Sequence, residues 1–200
     1  METKRKKRLL NAVMVILILI IAACGVLAAG SIRGWFDTGT ESWITSGHIS
    51  GVASIERNGI GYSLQDGQGI KDGDVIETKQ GSTASLQLGK SNTIVLNENT
   101  ELTVTSADAE AVELSVGRGE LFADIPKAGK SFVLKLDEHE AKIGDSVFSA
   151  SVQTGRVTFD VYMGENDVMA SDGTAETVAS GERLQVSEGE DGNVSARSEE

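Results

Sequence analysis

Two short acidic segments have residue types that could bind a metal ion. Asp72 and Asp74 flank Gly73, and oxygen-rich turns of this kind can hold calcium. The run 137–140, Asp-Glu-His-Glu, could ligate zinc or transfer protons. No full calcium-loop spacing surrounds residue 72, so we interpret 72–74 as a tight turn with positive φ at Gly73 and Asp side chains that accept hydrogen bonds from backbone N–H groups. We interpret 137–140 as a solvated loop, and His48 has no partner motif, so we predict neither metal nor cofactor.

Nucleophilic catalysis has no matching arrangement in this sequence. Serine is abundant, but none lies in a Gly-x-Ser-x-Gly elbow, and no Gly-rich phosphate loop ends in Lys-Ser or Lys-Thr. The single cysteine, Cys24, lies in an apolar run. Trp43 could stack on a sugar, but we interpret it as a side chain that seals the edge of a small core. We therefore predict no catalytic residues and no enzymatic activity.

The apolar run 9–29 is the element that positions the rest of the chain in the cell. Its 21 residues are interrupted only by Asn11, and as a helix they extend about 31 Å, which matches the ~30 Å hydrocarbon core of a bilayer. The basic residues 4–8 precede it and should stay in the cytoplasm. We predict a cytoplasmic tail (1–8), one transmembrane signal-anchor helix (9–29) in the cell membrane, and an extracytoplasmic remainder.

Cys24 allows a second interpretation of this segment. Ile21-Ala22-Ala23-Cys24 has the small residues that precede the lipidated cysteine of a bacterial lipoprotein. However, the run stays apolar for five residues after Cys24, and Trp35 and Phe36 then follow, as expected for aromatic residues at the outer membrane interface. We favour the uncleaved helix, with lipidation of Cys24 as the alternative.

The charge of the segment after the membrane run restricts its partners. This segment contains 13 Lys and Arg and 29 Asp and Glu, a net charge of −16. Nucleic acids and anionic lipid head groups both require a basic surface, so neither is expected as a ligand. With no cysteine of its own, the segment cannot form an internal disulfide, and its stability must come from packing.

Brief runs of alternating apolar and polar residues predict an all-β domain over about 48–187. Such alternation buries one face of a strand and leaves the other in water. Phe132, Leu134, Leu136, Phe159 and Val161 should be buried, whereas Thr158 and Asp160 should face water. Strands spaced about 8–12 residues apart indicate a sandwich, a barrel or a short solenoid.

Turn signals and composition set the expected boundaries. Pro126 should end a strand, and residues 30–47, rich in Gly, Ser and Thr, are predicted to be a tether. Residues 188–200 are acidic and poor in apolar side chains, so we predict a disordered tail. Turns are expected at 89–92, 117–119, 164–167, 172–173 and 180–182.

The order of these motifs resembles the FecR domain, the exported β module of bacterial iron-citrate-type transmembrane regulators. The most specific segment is 71–78, a Gly-Asp turn that leads into an Ile-x-Thr strand. Further similar segments are an opening strand at 51–55, strands at 81–88 and 94–102, a "G-x-L" hairpin at 116–122, and closing strands at 161–164 and 181–186.

The resemblance implies an exported FecR-like β fold. In two respects the sequence departs from the family. Residues 144–148, Gly-Asp-Ser-Val-Phe, stand where the family has Gly-Thr before an aromatic residue, and residues 1–8 are too few to form the cytoplasmic anti-sigma region of the signalling members. We expect a membrane-anchored module that binds an envelope protein or polymer, with a sensor that signals through a membrane partner as the alternative.

Overall fold

Every regular element that the structure describes is a β-strand. The structure, a computed structural model, describes residues 42–129, 131–169, 173–188 and 194–199. The strands of these residues are β1 (Ile44–Ser50), β2 (Ala53–Arg57), β3 (Ile60–Ser63), β4 (Gly69–Ile70), β5 (Val75–Thr78), β6 (Thr83–Leu88), β7 (Asn92–Leu96), β8 (Glu101–Ala107), β9 (Ala111–Ile125), β10 (Ser131–Leu136), β11 (His139–Ile143), β12 (Ser146–Gln153), β13 (Arg156–Met163), β14 (Glu165–Met169), β15 (Ala175–Ala179), β16 (Arg183–Glu188) and β17 (Val194–Glu199). The predicted all-β fold is confirmed for these residues.

The strands form two sheets that share β9. Sheet I has the order β4-β1-β6-β7-β9-β12-β13-β16-β17. Sheet II has the order β3-β2-β5-β8-β9-β10-β11-β14-β15. These pairings are antiparallel except for β9 with β10, which is parallel and places Leu114 opposite Leu134. Most consecutive strand pairs form hairpins within one sheet, and the chain changes sheet between these hairpins.

Strand β9 passes from sheet II into sheet I without interruption. Its first half, 111–116, pairs with β8 and β10, and its second half, 119–125, pairs with β12 and, in part, with β7. The predicted turn at 117–119 and the predicted hairpin at 116–122 are therefore wrong. Inward alternation continues on both sides of the two glycines, so the strand changes sheet there instead of reversing direction. Pro126 follows the last residue of β9, as predicted for a strand terminator.

The inner faces of both sheets contribute to one apolar core. Phe148 and Phe159 are both buried in this core and stack with ring centroids 4.9 Å apart and ring planes 20° apart. Thr158 and Asp160 lie on the opposite face of β13 and are half-buried. The five side chains predicted to be buried are all in the core: Phe132, Leu134, Leu136, Phe159 and Val161.

The boundaries of the β domain differ from the predicted ones at both ends. β1 begins at Ile44, whose side chain is fully buried, so the predicted tether (30–47) overlaps the first strand. The tail 188–200, predicted to be disordered, contains β17, which pairs with β16. Composition could not indicate this pairing, because it depends on the backbone groups that an edge strand offers.

The predicted membrane segment lies outside the part of the chain that the structure describes. Residues 1–8 and 9–29 lie outside the described residues, as do Cys24, Trp35 and Phe36. Among the residues that are described, no helix has the length and apolarity needed to cross a bilayer.

Candidate functional site

The segment 72–74 is a structural turn, as the sequence predicts. Gly73 has φ +83°, and the Oδ1 atom of Asp72 accepts a hydrogen bond from the backbone N–H of Ala107 at 2.9 Å. The Oδ2 atom of Asp74 accepts one from the backbone N–H of Lys71 at 2.8 Å. These carboxylates thus use oxygen atoms to hold backbone groups in place.

Asp74 also forms an ion pair that the sequence interpretation missed. Its carboxylate is fully buried and accepts hydrogen bonds from Nε and Nη2 of Arg57 at 2.8 and 2.6 Å. Nη2 also donates to the backbone oxygen of Gly69 at 3.0 Å. The Asn58-Gly59 turn, with positive φ at both residues, could have indicated the β2–β3 hairpin that contains Arg57. This pair joins β2 to the start of β5 and has a structural role.

His139 is buried, so the predicted solvated loop at 137–140 is wrong at this residue. Asp137 and Glu138 form the turn, while His139 begins β11 and is 7% exposed. Neither of its ring nitrogens has a hydrogen-bond partner among the described residues. The sequence pattern that could have indicated this burial is the alternation of His139, Ala141 and Ile143, which all point inward. Within the described ranges, no three His, Cys, Asp or Glu side chains are grouped so as to hold a metal ion.

The two remaining candidates lie near the start of the domain. His48 is exposed, and its Nδ1 is 3.9 Å from Oδ2 of Asp66, an exposed pair that contributes little. Trp43 packs against the core, as predicted, and its ring lies so close to Gly89 that a Cβ there would be 2.7 Å from ring carbons. Trp43 therefore seals the edge of the core.

The outer face of sheet I carries two exposed aromatic rings, those of Phe122 and Tyr162, next to the exposed side chain of Met163. We name these three residues the aromatic surface. These side chains are 39%, 51% and 64% exposed. The two ring centroids are 6.0 Å apart, with ring planes at 35°. The Tyr162 hydroxyl lies 3.0 Å from Oγ of Ser149, and this hydrogen bond fixes the direction of the ring.

The strand register explains why Phe122 is exposed. Leu121, Ala123 and Ile125 are buried, and because side chains alternate along a strand, Phe122 lies on the outer face of β9. It lies opposite Val95 of β7 on one side and Ser149 of β12 on the other. The same alternation is present in the sequence, but the turn predicted at 117–119 prevented residues 119–125 from being recognised as the continuation of one strand.

Three carboxylates border the aromatic surface. Asp160, two residues before Tyr162, pairs with the guanidinium of Arg183 on β16, whose Nη2 donates to Oδ2 at 3.1 Å. Glu120 and Asp124, on the outer face of β9, are exposed. Neither of their carboxylates forms a hydrogen bond or ion pair with the described residues.

The outer face of sheet II is charged, and several of its charges are paired. Glu77 contacts Nζ of Lys79 at 2.5 Å and Nη2 of Arg118 at 2.6 Å, and Arg118 also reaches Glu101 at 3.0 Å. The hydrogen bond from Lys79, with the charges of Lys79 and Arg118, lowers the pKa of Glu77 below its ordinary value of 4.5. The two sheets therefore present different outer faces: paired charges on sheet II and exposed aromatic rings on sheet I.

The comparison with protein families confirms the resemblance inferred from the sequence. Residues 74–167 match the family model described as FecR protein. This range covers β5 to β13 and part of β14, with the start of β5 preceded by the buried Asp74. It therefore includes β9 and the whole aromatic surface.

Two solved structures have a similar fold. Both are crystal structures of a "putative anti-sigma factor" from Parabacteroides distasonis ATCC 8503, at 2.50 and 1.65 Å resolution. Each is 17% identical in sequence, with TM-scores of 0.54 and 0.53, and the match covers 63% of this chain. The matched part is 60% of the length of those chains. No curated protein matches the chain.

Proposed function

Because residues 74–167 form a FecR domain, we propose that the chain is a membrane-anchored, extracytoplasmic binding module of a regulatory system. In this role it binds a protein partner through the aromatic surface, and it performs no catalysis. The predicted helix 9–29 holds the module at the outer face of the cell membrane. The two structures described as a "putative anti-sigma factor" support a regulatory context.

The observation that carries this proposal is the exposure of Phe122 and Tyr162 on a sheet face. Large apolar side chains clustered on a surface mark binding sites. Tyr, Phe, Met and Arg are enriched in protein interfaces, where a few aromatic anchors supply most of the binding energy. Here two rings and Met163 lie together, bordered by Arg183 and Asp160. A polar border around an apolar centre is the usual arrangement of such an interface.

Site-specific photo-crosslinking in intact cells tests this proposal. A photo-reactive amino acid replaces Tyr162 on sheet I or, as the matched control, Val133 on the outer face of sheet II. We expect one discrete adduct from position 162 that is absent from position 133. A second position on the aromatic surface, Phe122, should give the same adduct. Equal adducts from both sheets, or none from sheet I, would contradict the proposed interface.

Protease accessibility tests the proposed location. Protease added to spheroplasts should remove a tag placed after Glu200 and leave a tag placed before Met1 intact, because residues 4–8 are basic and favour the cytoplasmic side. Detergent lysis, which exposes both tags, is the control. Protection of the C-terminal tag in unlysed spheroplasts would exclude an extracytoplasmic domain.

The alternative role is a sensor that signals through a partner within the bilayer. It is supported by the match to the FecR protein family and by the two similar structures described as a "putative anti-sigma factor". Fusing residues 1–41 to an unrelated exported domain separates the two roles. If the fusion protein still signals, the signal is carried by the predicted helix. If the fusion protein reaches the membrane but does not signal, the function belongs to the β domain.

A further inference from the structure

We infer that the protein partner is basic where it contacts this chain, and that it places an Arg or Lys side chain over the aromatic surface between Glu120 and Asp124. This inference rests on the proposed function and adds the chemistry of the partner. It is carried by the position of the two carboxylates relative to the Phe122 ring.

Glu120, Phe122 and Asp124 alternate on the outer face of β9. Residues two apart on a strand are roughly 6.6 Å apart along it, so Glu120 and Asp124 flank Phe122 on the same face, one on either side. Both residues are exposed, and neither carboxylate is neutralised by the described residues. The ring is therefore bordered along its strand by two uncompensated negative charges.

The border formed by Asp160 and Arg183 adds little net charge to the aromatic surface. Asp160 is already paired with Arg183, so this side is close to neutral. The faces of Phe and Tyr rings carry partial negative charge and attract cations that lie within about 6 Å of the ring centroid. Ring faces and carboxylates thus favour the same ligand, a guanidinium or ammonium group.

Charge argues against the other occupants of this surface. A second copy of the chain would bring its own Glu120 and Asp124 towards the same residues, and like charges at an interface cost binding energy. The net charge of −12 for the whole chain makes close approach of two copies less favourable still. An acidic peptide or a phosphate-rich polymer is disfavoured for the same reason. A neutral polysaccharide, which could stack on the rings, is distinguished by the experiment below.

The chain contains two tyrosines, and this gives a direct test. Tyr162 lies on the aromatic surface, whereas Tyr62 of β3 is half-buried and packs against the core. The full chain is labelled with fluorotyrosine and placed in lipid nanodiscs, and Tyr62→Phe assigns the two fluorine resonances. The probes are a short peptide that alternates Arg and Ser, its Glu–Ser counterpart, and chitohexaose. We expect the Arg–Ser peptide to shift the Tyr162 resonance and leave that of Tyr62 unchanged, with the shift reduced by added salt.

The acidic residues supply the second measurement. Glu120→Gln with Asp124→Asn should weaken binding of the Arg–Ser peptide about fivefold, the sum of two exposed charge contacts. A control with the same change in net charge, Glu56→Gln with Glu138→Gln, lies away from the surface and should bind as the unmodified chain does.

Three results would overturn the inference. A Tyr162 shift with chitohexaose and none with the Arg–Ser peptide would assign the surface to a polysaccharide. Equal shifts with the Arg–Ser and Glu–Ser peptides would show that the charge of the peptide does not determine binding to this surface. Absence of any shift would mean that the surface does not recognise a basic group. In this last case a crosslink at position 162 would still support the proposed function, and only the basic partner would be excluded.

Discussion

Arg57 and Asp74 are joined by two parallel hydrogen bonds, from Nε to Oδ1 at 2.8 Å and from Nη2 to Oδ2 at 2.6 Å. The side chain of Asp74 is 1% exposed and that of Arg57 is 26% exposed. Asp160 and Arg183 form the same paired geometry at the surface, with exposures of 17% and 51%. The two pairs therefore share a geometry but differ in burial, and the buried pair also binds the backbone groups of Lys71 and Gly69.

Asp74→Asn should destabilise the domain by about 3 kcal/mol, because removing one partner leaves the other charge poorly compensated inside the protein. Asp160→Asn is the matched control, and it should cost less than about 1 kcal/mol, as exposed ion pairs do. Urea unfolding of the full chain in nanodiscs, followed by the circular dichroism of the strands, measures both. Equal costs would show that the Asp74 pair has no special structural weight.

Phe159→Ala should cost about 3–5 kcal/mol, because it removes a fully buried ring and leaves a cavity against Phe148. A loss of this size is a large fraction of the ~5–15 kcal/mol that stabilises a domain. The neighbouring Thr158→Ala changes the outer face of the same strand and should shift stability by less than about 1 kcal/mol. If the two variants unfold at the same urea concentration, the assignment of faces on β13 is incorrect.

Gly119→Ala should be among the most destabilising single substitutions in the domain. Gly119 has φ +95°, and a Cβ at this position would overlap the backbone of Thr100. Backbone strain and overlap together should cost about 3 kcal/mol or more. Gly155→Ala separates the two causes, since Gly155 has φ +68° but no atom within 4 Å of an added Cβ. A similar loss of thermal stability in both variants would show that the overlap with Thr100 adds nothing to the cost of the backbone strain.

Glu77→Gln tests the charge network on sheet II through pH. The pKa of Glu77 is lowered in the folded state, mainly by its hydrogen bond to Lys79, so its ionised form stabilises the fold above the ordinary pKa of 4.5. This stabilisation is lost as the pH falls through the lowered pKa. The variant should be less stable than the unmodified chain at neutral pH by less than about 1 kcal/mol. At strongly acidic pH the two should unfold alike, and a difference that persists there would contradict the linkage.

Cys24→Ser should leave the chain in the membrane, because the predicted helix continues through five apolar residues after this position. The measurement is fractionation of cells with the intact mass of the protein. Release of the variant from the membrane, or palmitate labelling that depends on Cys24, would establish the lipoprotein alternative instead.

Alternation in the sequence predicted the all-β class and the buried faces of β10 and β13, because period-two burial is local. Sheet membership is not local. The two glycines in β9 look like a turn in the sequence, and only the strands on either side determine that the chain continues straight into the other sheet.

The same limit applies to the candidate site. His139 lies among carboxylates in the sequence, but a two-residue turn places it at the first inward position of β11. The aromatic surface combines Phe122 of β9 with Tyr162 of β13, which meet only because β12 lies between their strands. A pattern within one segment cannot indicate a contact that depends on the order of strands in a sheet.

The sharing of β9 between the two sheets also determines the order in which a nascent chain can complete its fold. Both β7 and β8 precede β9 and pair with it, one in each sheet. Until residue 125 has been synthesised, each of these strands lacks that neighbour and is a temporary edge that can pair with other chains. Once β9 closes both edges, it becomes the template on which β10 and β12 assemble. A chain that ends before β9 is complete therefore exposes one unpaired edge in each of the two sheets.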